Sequence, residues 1–422
     1  MRVLFVTHND GMYGSCRSLL DLLDGLRDYD VQPHVVTSKG GAFAQELQAR
    51  GISYRILPVI WWIERGPVSV RRMGRIVLNL CRSIPAVDRL VRDWSIEVVY
   101  SNSSVYPIGR IVSFTNGIPH VWHLREFLGR GFDMEFVLEP ALSLALVRSS
   151  AAVICNSTAA KSYYFGRGGR DRVHVVYNGV ASRTRFDALA EQASGVKCNG
   201  VYTFLMVGTI CEDKGQELAI EALSCLRGQG LRARMVVAGS GPESWVRRCR
   251  RLADELGIAG SVDFAGYLAD PYEAYLKADC LLMCSEVDTF GRATAEAMSA
   301  CLPVIGKNRG GTPELVEHGR TGFLYNTQDE LVEYMRKLFE NPEQGRQLGS
   351  EGWRVAKERF SNEVYASSIH EILASASRRR TSDLDPRTKH QRPGTADLRH
   401  SADSAPTLRQ APPEAKAQGQ RE

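Results

Sequence analysis

The chain has 422 residues and a net charge of +5, enough length for two domains with separate cores. The charge sits at the end: Arg378–Glu422 holds ten Lys/Arg against six Asp/Glu, so the rest is nearly neutral and lacks the basic footprint of a nucleic-acid binder. No run approaches the ~18 apolar residues that cross a bilayer.

The N-terminus, MRVLFVTHNDGMYG, reads as a strand entering a glycine loop, not as a charged head before a cleavable apolar segment, so a cytoplasmic protein is expected. Short apolar runs follow at Val3–Thr7, His34–Thr37, Val98–Ser101, His120–Trp122 and Val153–Asn156, with amphipathic stretches between them. That alternation predicts a parallel sheet covered by helices on both faces. A second series runs from Phe204 through Met235–Ala238, Val262–Phe264, Cys280–Cys284 and Pro303–Ile305. The pattern divides the chain into a first domain (1–182), a polar, weakly patterned linker (183–200), a second domain (201–360), a last helix (361–377) and a tail (378–422). The tail has no aromatic, Ile, Val or Met and is expected to be disordered. Doubly wound sheets take ligands beyond the carboxyl ends of their strands, so two facing domains would share one cleft. The ten cysteines have no CxxC spacing and read as reduced core residues.

Within the first domain, Trp61–Asp93 carries seven Lys/Arg against three Asp/Glu. Met73, Ile76, Val77, Leu80 and Ile84 fall on one helical face while Arg71, Arg75 and Arg82 lie elsewhere, behind the pair Trp61-Trp62. A basic amphipathic helix beside tryptophans suits an anionic membrane surface. The same pattern suits a helix packed on its own domain with solvated arginines.

The segment SEVDTFGRATAEAMSACLPVIG, Ser285–Gly306, carries the most chemistry. Asp288 falls on a loop, Gly291 breaks the chain, and Glu296 lies on the helix that follows. The N–H groups opening a helix lack partners and bind phosphate, and a carboxylate further along suits a vicinal diol such as a ribose. Upstream, FLMVGTICEDKGQELAIEAL reads as strand, loop and helix, with Lys214 a point charge suited to a diphosphate. MVVAGSGPE repeats the pattern of a strand with a glycine turn, placing Gly239 beside the nucleotide or simply at a tight turn. In GIPHVWHLREFLGR, His123 follows a strand and precedes Arg125-Glu126, which either pair with each other or face an acceptor.

These runs, with GKNRGGTPELVEHGRTGFLY, resemble the retaining glycosyltransferases of family 4, whose GT-B fold sets two Rossmann-like domains across a cleft. The resemblance covers residues 1–376. It implies a nucleotide diphosphate sugar donor held by Gly14, Gly208, Lys214, Gly239, Phe290, Gly291, Arg292 and Glu296. It gives His123 and Asp288 catalytic positions and puts Arg125 and Glu126 on the acceptor side. No metal and no further cofactor are implied. The acceptor would be a glycan, a lipid-linked sugar or a small molecule, and the enzyme would sit at the inner face of a membrane. Three positions depart from the family pattern: Asp288 stands for Glu, Thr209 for Arg, and Cys301 for Gly, the last read as a packing change. Two alternatives are a sugar-nucleotide epimerase of similar fold and a catalytically weak sugar-nucleotide-binding partner protein.

Overall fold

The computed structural model describes residues 1–384 apart from 9–10, 59, 65–68, 129–134, 138–139, 167–170, 195–199 and 287. The expected tail therefore lies almost wholly outside the described residues, as do Asn9, Asp10, Gly129, Arg130 and Val287 of the quoted motifs. The strands, in chain order, are β1 (Arg2–Val6), β2 (Gln32–Thr37), β3 (Ser53–Ile56), β4 (Ile63–Glu64), β5 (Val98–Ser101), β6 (His120–Leu124), β7 (Glu135–Phe136), β8 (Ala152–Cys155) and β9 (Val173–Val175) in the first half. The second half has β10 (Tyr202–Val207), β11 (Ala233–Ala238), β12 (Val262–Gly266), β13 (Cys280–Met283), β14 (Val304–Lys307) and β15 (Gly322–Tyr325).

Two parallel sheets result. The first has the order β3-β2-β1-β5-β6-β8-β9 and the second β12-β11-β10-β13-β14-β15, while β4 and β7 form a small antiparallel pair. Consecutive residues such as Val3, Leu4 and Phe5 are fully buried, because helices cover both faces of a parallel sheet and its strands read as continuous apolar runs. The fold class expected from the sequence, two Rossmann-like α/β units, is what forms. In each sheet the strand order reverses once. The reversals lie between β1 and β5, which pair Val3 with Val98, and between β10 and β13, which pair Phe204 with Cys280. Ligand crevices open at such switch points, and the loops after β1, β10 and β13 carry the residues of the site.

Three local features differ from the sequence reading. The segment expected as a linker holds a helix, Arg183–Ser194, with Phe186 and Leu189 buried; two apolar positions are too few to show as a period. Edge strand β3 was not among the expected strands, because Ser53, Arg55 and Ile56 are exposed. Cys301 has φ +55°, the left-handed region where a Cβ costs ~1–2 kcal/mol, so the glycine usual there answers a backbone demand and the packing interpretation is set aside.

The last helix, Asn362–Leu384, packs into the first domain. Tyr365, Ala366, Ile369, Ile372, Leu373 and Ala376 share one apolar cluster with Val3, Phe5, Leu19 and Tyr100. Among the described residues, no helix is long and apolar enough to cross a membrane.

Candidate functional site

Between the two sheets lie two adjoining cavities. The smaller, of ≈ 280 Å³, is lined by Gly14, Gly208, Lys214, Gly239, Asp288, Gly291, Arg292 and Glu296, together with Arg17, Tyr267 and Leu268. All the donor residues named from sequence meet there except Phe290, whose buried ring packs between Tyr177 and Phe360 behind the loop. Gly239 has no alternative: a Cβ on it would stand 1.7 Å from the carbonyl oxygen of Gly208, so the ends of β10 and β11 approach only as bare backbone. Gly291, with φ +84°, turns the chain into the helix Arg292–Ser299 and leaves that helix's first N–H groups facing the cavity.

Charge in this cavity is paired. Lys214 Nζ donates to Asp288 Oδ2 at 2.8 Å and to Ser285 Oγ at 3.3 Å. Burial pushes the Lys214 pKa down, but Asp288, helped by Cys211 and Asp213, more than offsets this and leaves it above its ordinary value. Glu296, 4 % exposed, accepts from Arg292 Nε at 2.6 Å and from the Tyr275 hydroxyl at 2.9 Å. Those two bonds fix its carboxylate and leave lone pairs free toward the cavity.

Arg292 also reaches the first domain, meeting Asp21 Oδ2 at 2.8 Å, Ser18 Oγ at 3.1 Å and the Gly179 carbonyl at 3.2 Å. Burial raises the Asp21 pKa despite the guanidinium beside it. Arg17 crosses in the opposite direction, donating to the Ala269 carbonyl at 2.6 Å. Glu314 of the second domain caps the first-domain helix Thr158–Phe165 through Thr158 N (2.8 Å) and Ala159 N (2.7 Å). The carboxylate favours the positive end of that helix, so the two domains are clasped around the site.

The larger cavity, ≈ 1060 Å³, spreads over the first domain and is lined by Arg125, Glu126, Asn156, Tyr106, Trp61 and His8 among others. Arg125 and Glu126 do not pair through their side chains. The guanidinium bonds Asn102 Oδ1 (3.0 Å), Asn178 Oδ1 (2.5 Å) and the Tyr365 hydroxyl (2.7 Å). The Glu126 carboxylate accepts from Ser103 Oγ (2.8 Å) and Ser104 Oγ (2.7 Å). Both side chains are thus rigidly held at the edge of the cleft.

His123 does not reach it. Every residue of β6 is buried, and His123 lies fully buried with Nδ1 on the Tyr100 hydroxyl and its ring edge-on to Tyr365. Burial holds its pKa well below the ordinary value. His123 thus lies in the core and lines neither cavity, whereas His8, which leaves β1 at its carboxyl end, does line the cleft. The rule that ligands gather at strand carboxyl ends singles out His8, and the sequence reading passed over it. Trp62 is also a core residue, stacked on Trp122 with Nε1 donating to the Ser104 carbonyl at 2.7 Å, whereas Trp61 lines the cleft. Among the described residues, no group of three or more His, Cys, Asp or Glu is placed to hold a metal ion.

Two family models match this chain in succession: "Glycosyltransferase Family 4" over residues 13–183 and "Glycosyl transferases group 1" over 190–354. A sulfoquinovosyl transferase of Arabidopsis thaliana is 25% identical over 378 residues, covering 82% of this chain and 69% of that protein. A GDP-mannose-dependent phosphatidylinositol monomannoside mannosyltransferase of Mycobacterium tuberculosis is 30% identical over 184 residues, 40% of this chain and 47% of that one. The crystal structure of Anabaena HepE with UDP and glucose superposes with a TM-score of 0.72 at 23% identity, covering 89% of this chain and all of that one.

Proposed function

The chain belongs to the family 4, group 1 glycosyltransferases, enzymes that transfer a sugar from a nucleotide-sugar donor, and we propose that it retains the anomeric configuration and delivers the sugar to an acceptor in the larger cleft. The observation that carries this reading is the convergence of Lys214, Asp288, Gly291 and Glu296 on one cavity that opens into the cleft of Arg125 and Glu126. Lys214 and the N–H groups opening the helix Arg292–Ser299 receive the diphosphate and stabilise the negative charge that grows on it as the glycosidic bond breaks. Glu296, held by Arg292 and Tyr275, accepts from the ribose hydroxyls, and Asp288 faces the transferred sugar. This division of labour needs no divalent cation. The leaving phosphate itself takes the acceptor's proton, so no protein nucleophile is assigned. The epimerase alternative finds no support among the relatives.

The acceptor side borders a basic helix, Val70–Asp93. Ile76, Ser83, Val87 and Val91 pack inward. Val77 and Leu78 stay about half exposed on the outer side, where Arg71, Arg75 and Arg82 are also exposed. Arg72 and Asn79 of the same helix line the cleft. A helix presenting both apolar and basic side chains fits an anionic bilayer, and its place beside the cleft would bring a membrane-held acceptor to the donor. The matched mycobacterial enzyme is named for a lipid acceptor, which accords with this arrangement.

A thermal-shift panel of UDP- and GDP-sugars tests the donor, since a ligand at a hundred times its Kd adds about 2.7 kcal/mol of stability. Proton NMR of the product formed on anionic vesicles then reads the anomeric configuration. Donor binding without turnover on any acceptor would favour the sugar-nucleotide-binding partner, and an inverted product would overturn the retaining reading.

A further inference from the structure

The larger cleft contains two buried polar atoms that the protein leaves unused. Nδ1 of His8 and Oδ1 of Asn156 have no hydrogen-bond partner, although the two residues are 8 % and 3 % exposed and both line the cavity. A buried polar atom without a partner costs about 1–3 kcal/mol, a cost that a bound ligand would relieve. The Asn156 amide is oriented by its own neighbours: Nδ2 donates to Thr289 Oγ1 at 3.0 Å, which leaves the oxygen for the cleft. Burial lowers the His8 pKa, so its ring is neutral near pH 7 and one nitrogen can accept. A hydroxyl can donate to the Asn156 oxygen and can pair with His8 Nδ1 in either tautomer of a neutral ring, so the two atoms call for a ligand with two O–H groups.

The wall next to them is aromatic. Trp61 and Tyr106 both line the cleft and meet the His8 ring edge-on at 5.4 and 5.9 Å between centroids. A flat apolar face beside partners for hydroxyls matches a sugar ring, which has C–H bonds on its faces and O–H groups around its rim. A lipid chain would leave both atoms unpaired, and a bare phosphate would bring oxygens toward the lone pairs of the Asn156 oxygen. The volume, ≈ 1060 Å³, lies just above the roughly 300–1,000 Å³ of ligand clefts and admits a ring with its substituents.

We propose that this cleft is a pyranose subsite of the acceptor, with the sugar ring lying on Trp61 and its hydroxyls hydrogen-bonded to His8 and Asn156. The assignment rests on the transferase reading above and narrows its acceptor to a glycoside. It predicts that a free methyl pyranoside binds here without donor.

Saturation-transfer NMR with the methyl α-pyranosides of glucose, galactose, mannose and N-acetylglucosamine tests it, with UDP and GDP as an independent check of the donor site. At least one pyranoside receives saturation on its ring protons. Its Kd rises about tenfold or more in Trp61→Ala and several-fold in His8→Phe, as expected for loss of a ring contact or a hydrogen bond. Trp61→Phe stays within about threefold, and nucleotide binding is unchanged in all three variants. The proposal is overturned if no pyranoside receives saturation while UDP or GDP does, if Trp61→Ala and His8→Phe bind the sugar like wild type, or if glycerol 3-phosphate displaces it. Failure of every nucleotide to bind while a pyranoside does would instead refute the donor assignment and leave the subsite standing.

Discussion

Replacing Asp288 by Asn should make the protein bind the bare nucleoside diphosphate more tightly while slowing transfer. In the unliganded site Asp288 holds Lys214 at 2.8 Å, so an incoming diphosphate has to compete for the ammonium and also meets a carboxylate of its own sign. The side chains are 28 % and 23 % exposed, which places the pair nearer to a screened ion pair than to a buried one. A strength of about 1 kcal/mol is reasonable on that basis, corresponding to about a fivefold lower Kd. Asn keeps the side-chain length and can still accept from Lys214, so the loop should stay in place. The assay is calorimetry with whichever of UDP or GDP the wild type binds, at low and high salt, because the gain should shrink as the charges are screened. An unchanged or higher Kd would refute the reasoning: Asp288 would then be a direct ligand of the nucleotide, not a rival for Lys214. Turnover should fall in either case if Asp288 contacts the sugar.

Glu296→Ala should weaken binding of the same nucleotide by roughly 1.5–3 kcal/mol per hydrogen bond lost, whereas Asp288→Ala should not weaken it, and calorimetry with matched proteins decides the order. Cys301→Gly should raise stability by about 1 kcal/mol, because it removes a Cβ from a left-handed residue; chemical denaturation reads the shift in midpoint. Acid should destabilise the fold from about pH 6.5 downward. Burial lowers the pKa values of His8, His120 and His123, so the unfolded chain binds protons that the folded chain refuses. Each refused site costs up to about 1.4 kcal/mol per pH unit below the unfolded value of roughly 6.5, until its lowered folded pKa is reached. Urea midpoints measured between pH 8 and 5.5 should fall, and His120→Asn should flatten the curve.

The donor half of the site could be read from the sequence because its chemistry is local. Asp288, Gly291, Arg292 and Glu296 lie within one loop and one helix, and the apolar runs around them marked β13 and β14 correctly. The acceptor half could not be read so directly. His8 leaves β1, Trp61 precedes β4 and Asn156 follows β8, and only the crossovers of the first sheet bring them together. The place of His123 was not legible because β6 is buried on both faces, so alternation carries no information about which side chain points to the cleft. Trp61 and Trp62 are adjacent, yet one faces the cleft and the other the core, a difference set by the pairing of Ile63 with Phe136. Arg292 was legible as a donor-site residue, but its partner Asp21 lies far upstream and had no signal of its own.

The helix Asn362–Leu384 has a consequence for how the protein comes into being. A growing chain usually folds its first domain while the second is still being made. Here Tyr365, Ile369 and Leu373 fill the same core as Val3 and Phe5, so the first sheet emerges from the ribosome with one flank bare and stays so until residue 376 or so has cleared the exit tunnel. Until then that apolar flank is open to chaperones, or to another nascent chain. A stop codon placed after the second sheet would leave every donor residue intact and still yield a protein that fails in its other half.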